Sequence, residues 1–362
     1  MSFPTFLTPI KKNLFRVDCG LFRQNVTSAN IFLTDNHEVY IFDTASTPFT
    51  KNILDSLKFL DVPSDNVKAI CVTHAHLDHS GGAGRLAQEF PRAKVICHPS
   101  CAPHLIDPSR LVHSAAAVYG KENMHSLYGE VIPIKHSQII VPRQSVQILG
   151  DDGMVVLDTP GHAFHHSSFI IDKAAFVGDV CGTNSKSLFW RDLDVFDELS
   201  KKRYKSSSLK QWMKKSDISS LKYESLCHFT HKFCPGIPIS SPTQFSAEDW
   251  RKSVELLLLR DDVDWLCPTH FEPMFIGPDS TEYGIDVRSR LMSLWTDVLD
   301  LYTNIIKTSQ PGNSMKHVGG KVLSGITEVL MKHDLQISDF AKWSENAFAI
   351  GTAGLLHRIN KK

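Results

Sequence analysis

Apolar and polar positions run along this chain in short blocks whose period changes several times. Near the start, Leu14 to Val17, Asn30 to Leu33 and Val39 to Phe42 are β-rich runs bounded by turn residues, the last ending in Asp43-Thr44. From about Thr50 to Leu60 the period becomes helical. Val67 to Thr73 is then a compact β-branched strand, Gly82 to Phe90 a helix closed by Pro91, and Ala93 to Cys97 a further strand. Such alternation predicts an α/β layer. After a helical, proline-punctuated stretch from Cys101 to Tyr119 the strands resume as Gln138 to Val141, Ser145 to Leu149, Met154 to Asp158, Ser167 to Ile171 and Ala174 to Gly178. The second series repeats the pattern of the first.

Beyond it the character of the chain shifts. Residues 184–232 mix basic residues (Lys201, Lys202, Arg203, Lys205, Lys210, Lys214, Lys215) with serines and two tryptophans, Trp190 and Trp212, and read as a solvated insert in preference to an RNA-contacting one. Ordered periodicity returns with Ser246 as helix N-cap, Glu248 and Asp249 in the first turn, an apolar face through Leu259, and the strand Val263 to Cys267. The tail beyond Gly284 is helical, in segments near Val287 to Ile306, Val318 to Lys332 and Ile337 to Leu356. The expected organisation is one α/β domain over residues 1–283, carrying the insert, and a helical C-terminal extension over 284–362. Leu291, Leu294, Trp295, Val298 and Leu301 recur at helical spacing in that extension, which reads as core packing. The extension is further expected to cover a pocket or to form a homodimer surface.

Composition narrows the class. The 362 residues are 42% hydrophobic and 22% charged, an ordinary globular balance, and 39 basic residues against 39 acidic ones give no electrostatic case for binding nucleic acid. No apolar run reaches the 18 or so residues of a membrane span. The N-terminus lacks a charged start, apolar stretch and small-residue cleavage site, so a cytoplasmic location is expected. Eight cysteines are scattered without a C-x-x-C pair and predict buried reduced thiols, not a disulfide scaffold or a zinc ribbon. Histidine is the abundant chemical residue, at 18.

Directly after the strand ending at Thr73 stands His74-Ala75-His76-Leu77-Asp78-His79-Ser80-Gly81-Gly82. In extended backbone, residues i and i+2 point the same way, so His74 and His76 can converge on one ion while Asp78 and His79, past the turn, reach another. Four specified positions of this kind match by chance in only about two of a thousand chains this long, before the strand context is counted. Ser80, Gly81 and Gly82 let the chain reverse and start a helix without bulky side chains.

This H-x-H-x-D-H pattern after a strand resembles the signature of the metallo-β-lactamase superfamily, and the likeness extends over most of the chain. The resemblance implies an αββα sandwich and further ligands downstream. Thr159-Pro160-Gly161-His162 looks like the family's third motif, Gly178-Asp179 like the position of a bridging carboxylate, and Pro268-Thr269-His270-Phe271 like the final histidine. One metal would then take His74, His76, His162 and Asp179, and the other Asp78, His79, His270 and Asp179. His270 is preferred to its rivals His228 and His231 because it follows a strand. His166 matches a supporting histidine of relatives, and Asp43 their buried aspartate, which orients a ligand histidine. His165 departs from the family's usual glycine.

Nitrogen and oxygen ligands without a thiolate cluster suit Zn²⁺, and also Fe or Mn. Two such ions would share a hydroxide as nucleophile, held by Asp78, and hydrolyse a small-molecule substrate. An ester, thioester or lactone carbonyl ranks first, as in glyoxalase II. A phosphodiesterase or nuclease of the same superfamily ranks below it for want of basic surface. A mononuclear iron oxygenase of the persulfide dioxygenase type is disfavoured by the complete second set of ligands, and a noncatalytic scaffold by the presence of all seven. Similarity to uncharacterised bacterial-type hydrolases of the superfamily, over the runs His98-Pro99 through Leu105-Ile106-Asp107-Pro108-Ser109-Arg110-Leu111 and Pro235-Gly236 through Trp250-Arg251-Lys252-Ser253, supports the fold more than any substrate.

Overall fold

A computed structural model of the chain describes residues 3–21, 26–119, 121–143, 146–149, 153–182, 237–238, 244–270, 272–278, 280–282, 285–333 and 355–360. They fall into two compact units. The predicted insert at 184–232 lies outside the described residues, as does most of the segment expected as a helix from Ile337; 355–360 are helical.

The first unit, Met1–Ile96 with Ala102–Ile140, holds a seven-stranded sheet in chain order. Strands β1 (Leu7–Lys11), β2 (Leu14–Asp18), β3 (Ser28–Leu33) and β4 (Val39–Phe42) are antiparallel neighbours. Helix α1 (Lys51–Phe59) buries Ile53, Ser56 and Leu57, spaced as one helical face, and its crossover makes β5 (Val67–Val72) parallel to β4. Only Lys68 of β5 is exposed, which is why this strand reads as an unbroken apolar run. Helices α2 (Leu77–Ser80) and α3 (Ala83–Glu89) lead to β6 (Lys94–Cys97); α4 (Ala102–Ile106), α5 (Ser109–Tyr119) and α6 (Lys121–Tyr128) precede the parallel edge strand β7 (Ile139–Ile140).

In the second unit, Cys97–Cys101 with the described residues from Val141 onward, a six-stranded sheet has the order β13-β12-β11-β10-β9-β8. Strands β8 (Val146–Leu149), β9 (Met154–Asp158), β10 (Ser167–Ile171) and β11 (Ala174–Gly178) form an antiparallel meander. The turn joining β10 to β11 is Asp172-Lys173, both at positive φ (47° and 62°), the twist that suits a two-residue hairpin. Helix α7 (Ala247–Leu258) starts at Ser246, whose side chain accepts from Asp249 N–H as the sequence predicts, and returns the chain to β12 (Trp265–Pro268), parallel to β11, and β13 (Met274–Phe275). A small hairpin of β14 (Thr281–Glu282) and β15 (Ile285–Asp286) leads to α8 (Val287–Thr308) and α9 (Met315–Lys332).

Arg288 fixes the start of α8: its guanidinium donates to the carbonyls of Leu258 (2.8 Å), Arg260 (2.7 Å), Ile276 (2.7 Å) and Val263. The fold is thus mixed α/β with two sheets and a helical C-terminal region, as predicted. Strand β1, helix α6, the two-residue β13 and the β14–β15 hairpin have no counterpart in the sequence prediction. Among the described residues no helix is long and apolar enough to cross a membrane, and the six described cysteines are free and buried.

Candidate metal centre

In the first unit the donors stand where β5 ends. Asp43, just past the neighbouring strand β4, adopts φ 56°, a left-handed conformation that aspartate tolerates better than most residues. There its carboxylate, only 2% exposed, collects three donors. Oδ1 accepts from the backbone N–H of Thr73 at 2.9 Å, the Thr73 hydroxyl donates to both oxygens at 3.0 Å, and Oδ2 accepts from His79 Nδ1–H at 2.8 Å. Because the Thr73 hydroxyl proton is committed to Asp43, its oxygen accepts from His74 Nδ1–H at 3.1 Å. The network therefore assigns one tautomer to both buried histidines and leaves each Nε2 with its lone pair outward.

Both Nε2 atoms lie near other metal-competent side chains. His74 Nε2 lies 2.8 Å from Nδ1 of half-buried His76, and His79 Nε2 lies 3.7 Å from Asp78 Oδ2. The loop is held from beneath by the segment after β4: Thr44 N–H and Oγ1–H both donate to the His79 carbonyl, at 2.8 and 2.7 Å, and Gly82 N–H donates to Ala45 O at 2.9 Å. A Cβ on Gly82 would fall 2.5 Å from Thr50 Cγ2 and 2.7 Å from Thr44 O, so a neighbouring loop excludes a side chain there.

In the second unit three strand ends converge. His162 follows β9, Asp179 follows β11 and His270 follows β12; each is about 5% exposed. The Asp179 carboxylate faces both imidazoles, with Oδ2 3.4 Å from His162 Nε2 and Oδ1 3.4 Å from His270 Nε2. Direct hydrogen bonds would be shorter. Two ligands bonded at about 2.0–2.1 Å to one tetrahedral ion stand about 3.3–3.4 Å apart, so a carboxylate bridging two cations fits this spacing. His166 turns away from that role: its Nε2 accepts from Asp179 N–H at 3.2 Å and its Nδ1–H donates to Thr159 Oγ1 at 2.8 Å, which makes it a support for Asp179. His165 is buried beside exposed Phe164.

Within the first unit His74, His76, Asp78 and His79 thus stand together, and within the second unit His162, Asp179 and His270 do. Their chemistry, five imidazoles and two carboxylates, fits a divalent cation of the zinc, iron or manganese kind. His228 and His231 lie outside the described residues. The supporting roles of Thr73, Thr44 and Thr159 were not foreseen in the sequence, since a threonine hydroxyl announces no partner; their one signal is position, Thr73 before His74, Thr44 after Asp43 and Thr159 at the head of the His162 motif.

Comparison with known proteins gives the site its context. The sequence profile of the metallo-beta-lactamase superfamily matches residues 25–270. A metallo-beta-lactamase fold-containing protein of Sulfurisphaera tokodaii is 31% identical over 123 residues, 33% of this chain and 46% of that one. A hydroxyacylglutathione hydrolase of Aliivibrio fischeri is 30% identical over 146 residues, 40% of this chain and 42% of that one. The matched region therefore spans less than half the length of these curated relatives. Among solved structures, an archaeal metallo-beta-lactamase superfamily protein from Sulfolobus tokodaii has TM-score 0.51 at 16% identity, covering 95% of this chain and 98% of that one. A sec-alkylsulfatase from Pseudomonas sp. has TM-score 0.58 at 15% identity, covering 97% of this chain and 50% of that one. At such identities the likeness is one of fold.

Proposed function

This chain belongs to the metallo-β-lactamase superfamily, whose members are mostly metal-dependent hydrolases, and on that premise we propose that it is a binuclear metal hydrolase acting on an ester, thioester or lactone carbonyl. The observation that carries the reading is the Asp179 carboxylate, which turns one oxygen to each of two histidines. In this reading His74, His76 and His162 hold one ion, Asp78, His79 and His270 hold the other, and Asp179 spans them. Zinc is the preferred metal, with iron or manganese as the alternatives. Bound there, two divalent ions would supply hydroxide near neutral pH and polarise the scissile carbonyl.

The chain's own residues do the rest. Asp43 and Thr73 hold His74 and His79 in the ligating tautomer, His166 holds the Asp179 backbone, and Asp78, half-buried beside His79, orients the attacking oxygen. A carbonyl is preferred to a phosphodiester because the chain is electrically neutral overall and because its relatives in Aliivibrio and Vibrio are named hydroxyacylglutathione hydrolases. An acyl group carried on glutathione is a thioester.

Elemental analysis of the purified protein, followed by a panel of thioesters, lactones and phosphodiesters, tests the proposal. Two divalent ions per chain and turnover of a thioester or lactone are expected, with His76→Ala abolishing that turnover. Hydrolysis of phosphodiesters alone, or undiminished activity of His76→Ala, would overturn it.

A further inference from the structure

His162 and Asp179 leave different strands, and one residue from outside the sheet touches both of their loops. Trp250, in the first turn of α7, is fully buried. Its indole Nε1–H donates at 2.5 Å to the carbonyl of Val180, the residue after Asp179. Its ring stands edge-on to the His162 imidazole, with centroids 5.5 Å apart and planes at 84°. Its backbone lies so close to Gly161 that a Cβ there would fall 2.3 Å from Trp250 Cα.

Neighbours in α7 add two bonds to the same loop: Ser246 N–H donates to Gly161 O at 2.8 Å, and Ser253 Oγ–H donates to Pro160 O at 2.6 Å. Behind the indole, the Phe245 ring packs at 5.9 Å and in turn meets Tyr302 of α8 at 5.8 Å. The clamp is therefore backed by buried aromatic packing. A core tryptophan needs none of these loop contacts to stabilise the fold, and an indole N–H could have been satisfied by any carbonyl.

We propose that Trp250, with Ser253 one turn on, is a positioning residue of the metal centre: it locks the His162 loop to the Asp179 loop, and this lock sets the affinity for divalent cations. The proposal rests on the metal-hydrolase reading above and adds to it a residue that no motif contains.

The test compares full-length wild type, Trp250→Phe, Ser253→Ala and Trp295→Phe, the last removing a buried indole on α8. Each is titrated with Co²⁺ against a chromophoric chelator, its cobalt ligand-field spectrum is recorded, and the metal-free protein is unfolded in urea. Trp250→Phe keeps an aromatic ring but loses the N–H and the fused five-membered ring, a loss of buried volume that Trp295→Phe matches away from the site. It is expected to bind Co²⁺ roughly 10- to 100-fold more weakly with a shifted spectrum, Ser253→Ala severalfold more weakly, and Trp295→Phe like wild type even where its metal-free stability falls as far. Should Trp250→Phe not fold, Ser253→Ala decides: wild-type affinity in that variant counts against the clamp. Unchanged affinity and spectrum in Trp250→Phe, or equal weakening in Trp295→Phe, overturns the proposal and leaves the hydrolase reading standing. A wild-type protein that takes up no divalent ion overturns both.

Discussion

Asp43 Oδ2 accepts a 2.8 Å hydrogen bond from His79 Nδ1 while the other face of the same carboxylate holds Thr73, and through it His74. One buried carboxylate thereby sets the tautomer of two of the proposed ligands. Asn at position 43 keeps the left-handed backbone but offers a single acceptor oxygen, so one of its three donors loses its partner. Asp43→Asn is expected to cost about 1–3 kcal/mol of stability and to weaken metal uptake roughly 10- to 100-fold. Chelator competition checks the second expectation and urea unfolding the first; wild-type affinity would show that the ligand tautomers do not depend on Asp43.

Gly161 is the tightest point of the His162 loop. At φ +135° it occupies a region closed to other residues, with Trp250 backbone against it. Gly161→Ala incurs about 1–3 kcal/mol of backbone strain and also a collision with helix backbone, which has no side-chain freedom to yield. Destabilisation above about 3 kcal/mol is expected in equilibrium unfolding, and a near-neutral result would contradict the close approach.

The two C-terminal helices meet at Asp297, which accepts from Lys332 Nζ and His333 Nε2, each at 2.7 Å. Burial works to raise the Asp297 pKa, but these bonds and the two cations outweigh it and hold the carboxyl below its ordinary 3.8. A depressed folded value makes the pair stabilising above the ordinary carboxylate pKa, with that stability lost as pH falls through the lowered one. Urea midpoints of wild type and Asp297→Asn should differ near neutrality and converge in acid. The difference should be modest because Lys332 is largely exposed and solvent screens its charge.

Burial pushes the Cys19 thiol up to about 12, with Asp18 and Asp43 adding to the effect, and burial raises Cys181 as well. A thiol that stays protonated in the fold but ionises near 9.0 when unfolded makes stability fall as pH rises above that value. Iodoacetamide at mildly alkaline pH should therefore leave both residues unlabelled until the protein unfolds. Peptide mapping that found native Cys19 alkylated would refute this.

Much of this architecture is legible in one dimension because its causes are local. The β-branched run of β5, the Ser246 cap and the Asp172-Lys173 turn each draw on neighbours a few residues away, so periodicity and turn chemistry reveal them. Strand β1 escapes such reading because Pro9 interrupts it, a residue tolerated at a sheet edge where one N–H needs no partner. Helix α6 is short, and its exposed face offers little apolar contrast.

By itself the order of residues determined that metal-competent side chains cluster and that each group of them follows a strand: the H-x-H-x-D-H run is a covalent fact, and extended backbone sends alternate side chains one way. Only the tertiary structure decided what holds those side chains still. Asp43 reaches His79 across 36 residues because β4 and β5 are parallel neighbours, and Trp250 reaches Val180 across 70 because α7 packs over the strand ends. Hydrogen-bond partners are chosen by proximity in space, and the sheet register that creates such proximity is a property of the folded chain.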